Sequence, residues 1–154
     1  MSLPHALPPD GRHHPMKPES LFREALCEAE RHKYLESEKA RRDLGYAAID
    51  DWHRRHWTIW LRHRWLEHLL GTRCWEEFET RRLGRLRALF PGQEALLGEI
   101  TGLVCRGAEN ADILWWAARQ RRDLPVVIAI LTEVRVNEIR CSRQCFLFAD
   151  FPGY

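Results

Sequence analysis

The chain has 154 residues, 45% apolar and 30% charged, with a formal net charge of +2. That is enough apolar material for one domain with a core, too much for a disordered chain, and too little net charge for a global electrostatic pull on nucleic acid. Five cysteines without a CxxC pair exclude a disulfide framework and any familiar zinc motif, and no run approaches the ~20 apolar residues of a membrane span.

The 21 arginines against 3 lysines fit the codon usage of a GC-rich genome. The cysteines read as reduced thiols packed as small apolar residues. The N-terminus lacks the apolar run of a signal peptide, so a cytoplasmic location without a membrane is expected.

Residues 1–17 carry four prolines and no helical period, and are read as a disordered or loosely attached tail. The pair His13-His14 is taken as part of that polar tail. From Pro18 or Ser20 the spacing predicts helix 1 over 19–44. Leu21, Phe22, Ala25, Leu26, Ala29, Ala40 and Leu44 share one side of it, and Gly45 stops it.

Helix 2 is placed at 46–70, with Asp50 and Asp51 near its start and Gly71 after its last leucine. It holds four of the seven tryptophans and four of the eight histidines. A shorter helix is expected over 73–81, built on Trp75 and Phe78. A leucine-spaced segment then runs to the turn at Pro91-Gly92. Further helices are placed at 93–106 and at 109–122, the latter with Asn110 as its cap and Trp115-Trp116 inside. Residues 125–139 combine a β-branched run with helical spacing of Val127, Ile130, Leu131 and Val134. No partner strand is visible, so helix is chosen. The aromatic end FLFADFPGY is read as available to fold back onto the body. The whole is an all-α domain over 18–154, a single compact bundle of five or six helices.

One constellation invites a site. On the wheel of helix 2, His56, His63 and Glu67 fall in the same sector as Trp52, Ile59, Leu66 and Leu70, with His53 and Trp60 at its edge. His32, Glu36 and Asp43 fall in the apolar sector of helix 1, with Glu28 at the border. If the two faces meet, His32, Glu36, His56, His63 and Glu67 become candidate ligands or supports of a transition metal or haem between the helices. The spacings Glu28-x-x-x-His32 and His63-x-x-x-Glu67 depart from the Glu-x-x-His of bundle-core dimetal sites. The preferred reading is a hydrogen-bonded polar seam without a cofactor.

The tryptophans of helix 2 point around its axis. Trp57 and Trp65 are therefore expected on its outer side, with Arg54 and Arg64, as anchors for another protein or a second copy. Arg81, Arg82, Arg85 and Arg87, or Arg119, Arg121 and Arg122, are the candidates for nucleic acid, against which the near-neutral charge counts. Cys141-x-x-x-Cys145 offers only two ligands. There is no Gly-rich phosphate loop, GxSxG or HExxH, so no catalytic residue is assigned. The expected function is a protein-interaction or assembly module.

Overall fold

The computed structural model describes residues 16–137 and 139. Six α-helices appear among them: α1 Leu21–Ala40, α2 Tyr46–Leu70, α3 Arg85–Leu89, α4 Glu94–Cys105, α5 Asn110–Arg119 and α6 Leu124–Val134, with a 3-10 turn at Thr80–Arg82. No strand occurs among the described residues, and none of their helices is long and apolar enough to cross a membrane. His13-His14, Cys141, Cys145 and FLFADFPGY lie outside the described residues.

Local chemistry sets most of the helix ends. Ser20 caps α1, its hydroxyl accepting from the Arg23 amide. α1 stops at Ala40 rather than 44 because Arg41 takes a left-handed conformation at φ 53°. The amides of Arg41 and Arg42 return to the carbonyls of Glu38 and Ser37, and the Ser37 hydroxyl accepts from the Leu44 amide at 3.1 Å. Phe22 is only half-buried and Leu26 and Ala40 are exposed, so the core face of α1 narrows to Leu21, Ala25 and Ala29.

α2 runs over the expected span and ends at Gly71, φ 73°, in the left-handed region. That glycine is required twice. A Cβ on it would stand 3.1 Å from the Cα of Gly84, where the loop leaving α2 crosses back. α5 begins one residue before the expected cap is complete. Glu109, not Asn110, holds the cap position, and Asp112 accepts from its amide at 2.8 Å. Asp123 caps α6 by accepting from the Val126 amide. Val127, Ile130, Leu131 and Val134 are buried at helical spacing, which decides helix over strand in this segment.

The helix expected over 73–81 does not form. The Glu19 amide donates to the Cys74 carbonyl at 2.8 Å, and the Glu76 amide to the Glu19 carbonyl at 2.9 Å, so the loop pairs with the residues before α1. The Glu77 carboxylate then accepts from the Leu21 amide at 2.9 Å and the Ser20 hydroxyl at 3.0 Å. A carboxylate at a helix N-terminus answers both the free amides and the helix dipole. The Glu77 side chain is spent on α1, while the backbone at Cys74 and Glu76 pairs with Glu19 rather than with a helical turn of its own.

α2 is the spine. α1 packs against it, and α3 and α4 contact it as well. Two apolar clusters result. Leu21, Ala25, Ala29, Trp52, Trp57, Leu61, Trp75 and Ile139 form one; Leu66, Leu69, Leu86, Ile100, Val104, Ile113, Val127 and Ile130 belong to the other. Trp65 packs against both and donates its indole N–H to the Val134 carbonyl at 2.6 Å. Truncating any fully buried aliphatic residue here should cost about 2–5 kcal/mol.

Candidate functional site

The α1–α2 seam gathers part of the predicted set. Nε2 of His32 lies 3.0 Å from Oδ2 of Asp51, and Nε of Arg55 lies 2.8 Å from Oδ1 of the same carboxylate. The His32 and His56 rings meet edge to face with centroids 5.5 Å apart. Glu36 faces Lys39, one turn along α1, at 2.6 Å. The hydrogen bond from His32, followed by the charge of Arg55, holds the Asp51 carboxyl below its ordinary value. Lys39 does the same to Glu36. A half-buried His–Asp pair of this kind orients the imidazole and ties α1 to α2.

The rest of the set is elsewhere. His56 and His63 are exposed, which corrects their placement in the buried sector of α2. Glu67 pairs with Arg64 at 3.4 Å and approaches Arg73 at 4.0 Å. At 1.5 Å rise per residue, Glu67 stands about 16 Å along the helix from His56, far beyond the reach of one ion. Among the described residues no three His, Cys, Asp or Glu side chains converge as metal ligands. The five-residue site does not assemble; His32, with Asp51 in place of the expected partners, makes a hydrogen-bonded seam.

The anchors expected on α2 are also redistributed. Trp57 is buried at 3% exposure, and Trp65 is half-buried between the two clusters. Trp52 and Trp57 are about 140° apart around the helix, yet both are buried in one cluster, their rings edge to face with centroids 6.1 Å apart. Arg64 lies over the rings of Trp60 and Trp75, at 5.5 and 5.7 Å. Arg54 is exposed and pairs with Asp50 at 3.1 Å. Neither arginine stands beside an exposed tryptophan of α2.

Three polar residues missed by the sequence reading prove central to the architecture. Arg62, its side chain 2% exposed, donates through Nη1 to the carbonyls of Val104 and Ala108, both at 3.1 Å, and through Nη2 to Glu109 at 2.7 Å. It therefore clamps the α4–α5 corner onto α2. His68 is fully buried. Its Nδ1 accepts from the Trp75 amide at 3.2 Å and its Nε2 donates to the Glu79 carbonyl at 3.0 Å. An amide can only donate and a carbonyl only accept, so the ring is the neutral Nε2–H tautomer. Burial pushes its pKa down, against the weaker opposing pull of the Glu79 carbonyl. Glu77, the cap of α1, is the third.

The exposed aromatic–cationic surface lies on α5 instead. Trp115 is 63% exposed, and the Arg119 guanidinium, one turn on, stacks 4.6 Å from its ring centroid. On the neighbouring α6, Leu124 and Ile128 are 38% and 51% exposed, with Pro125, Ala129 and Thr132 also facing solvent. A helix this apolar normally covers both its sides; here the outer arc carries no charge until Arg135. Comparison of the chain with protein-family models, curated proteins and solved structures finds no match.

Proposed function

We propose that this chain is a protein-interaction module, a rigid helical scaffold that docks another protein through the outer surfaces of α5 and α6. The observation that carries the reading is Trp115: a large aromatic residue left 63% exposed, with its ring already stiffened by Arg119. Tryptophan and arginine are the residues most enriched among the energetic anchors of protein interfaces. Leu124 and Ile128 add aliphatic surface on the next helix. The interior supports the same reading. The polar groups between α1, α2 and their neighbours, His32 of α1 and Arg62 and His68 of α2, are engaged within the fold, which suits a scaffold more than a catalyst. Free thiols at Cys27, Cys74 and Cys105 suit a reducing compartment, and a cytoplasmic location is part of the proposal.

The test compares wild type with Trp115→Ala and Ile128→Asp, two changes at exposed positions that should leave the helical circular dichroism and melting temperature unchanged. Chemical crosslinking in cells of the source, read by mass spectrometry, should yield crosslinks from α5 or α6 to one protein, and both variants should lose them. Sedimentation shows whether that protein is a second copy. Retention of the same crosslinks by both folded variants would refute the docking surface.

A further inference from the structure

The docking reading leaves the chemistry of the occupant open, and the distribution of charge on α4 to α6 supplies it. Six carboxylates lie between Glu94 and Glu133, and each is engaged within the chain. Glu94 accepts from the Gly92 amide, Glu99 from Arg122, Asp112 from the Glu109 amide and Asp123 from the Val126 amide. Glu109 holds Arg62, and Glu133 holds Arg82 and Arg85. Arg122 is matched by Glu99, but two further cations are not matched in return. Among the described residues Arg119 touches the Trp115 ring but no carboxylate, and Arg121, two residues further, is exposed with no acidic partner. An exposed aromatic anchor thus carries one guanidinium against its ring, and a second exposed guanidinium follows just past the end of the same helix, each with bidentate donors unspent.

We infer that the occupant of this surface is an acidic protein segment, an Asp- or Glu-rich stretch whose apolar side chain packs beside Trp115 while its carboxylates pair with Arg119 and Arg121. The inference rests on the docking reading above. The aliphatic surface of Leu124 and Ile128 favours protein over nucleic acid, because bases stack on aromatic rings and have no use for a leucine–isoleucine stripe. Opposite charge at the rim of an apolar anchor raises the rate of encounter and selects against basic segments.

The test is a selection of random 15-residue displayed peptides on the full chain, at low salt. The enriched pool should be rich in Asp and Glu around at least one large apolar residue. Selected peptides should lose about tenfold or more in affinity to Arg119→Glu/Arg121→Glu, and should weaken between 50 and 300 mM salt. They should lose binding to Trp115→Ala as well. A pool without acidic bias that still requires Trp115 overturns the acidic inference and leaves the docking reading intact. A pool indifferent to Trp115, or no enrichment over the bare support, overturns the docking reading itself. Competition by a 15-nucleotide oligo-dT that is abolished by Trp115→Ala would assign the surface to single-stranded nucleic acid and overturn the inference.

Discussion

Replacing Arg62 by methionine isolates the clamp between α2 and the α4–α5 corner. Methionine keeps most of the apolar stem, so the change removes three hydrogen bonds and one charge. Losing one member of a buried ion pair costs about 3–5 kcal/mol. Here the Glu109 carboxylate is 32% exposed and regains water, which discounts that figure. The Val104 carbonyl keeps the Gly107 amide at 3.0 Å, so the cost of about 1–3 kcal/mol for a group left without its donor falls on the Ala108 carbonyl. The two effects overlap, and the expected loss is about 3 kcal/mol. For a chain of this size that lowers the melting temperature by about 6–12 °C. Urea unfolding followed by circular dichroism measures it directly, with Arg54→Met as the control. Arg54 is exposed and holds a surface pair with Asp50, so its loss should fall within about 0.5 kcal/mol of wild type. An Arg62→Met protein as stable as the Arg54→Met control would refute the clamp.

Three further outcomes follow from the geometry. Because burial lowers the pKa of His68 in the folded chain, the unfolded chain takes up a proton that the folded one refuses; stability should be full above the ordinary value of about 6.5 and decline as the pH falls below it, by up to ~1.4 kcal/mol per pH unit. Urea midpoints between pH 7.5 and 5 should show that slope in wild type and a flatter one in His68→Gln; parallel slopes would discard the assignment. Glu77→Ala should cost about 1–2 kcal/mol in urea unfolding and fray the first turn of α1 in amide exchange, since it strips the carboxylate from the Ser20 and Leu21 donors. Gly71→Ala should lower stability by about 2–4 kcal/mol, combining left-handed strain with a 3.1 Å approach to Gly84. Gly84→Ala, whose Cβ would clear Gly71 by 3.8 Å, should cost only the strain of about 1–2 kcal/mol; equal losses would remove the crossing from the account.

What the residues determine alone is the helical content and its punctuation. The span of α2, the helices either side of Gly107, the turn at Pro91-Gly92 and the helix at Leu124–Val134 all follow from apolar period and local caps, which act within a few residues. The all-α class was legible for that reason. Tertiary structure decided everything that required knowing what covers α2. A wheel assumes one core direction, but α2 is buried against α1 and Trp75 toward one end and against α3 and α4 toward the other. The buried direction therefore turns along the helix. It takes in Trp57, Arg62 and His68, and leaves His56 and His63 in solvent. The same dependence governs residues 73–81, whose helical composition is overridden because Glu77 and the Cys74–Glu76 backbone are claimed by the start of α1, more than fifty residues earlier. The partner of His32 was likewise beyond local reading. Asp51 looks like an ordinary first-turn acid until the register of α1 against α2 brings the two side chains to 3.0 Å. Periodicity reports which side chains share a face; only the packed chain decides how many faces are buried and which distant atoms answer each polar group.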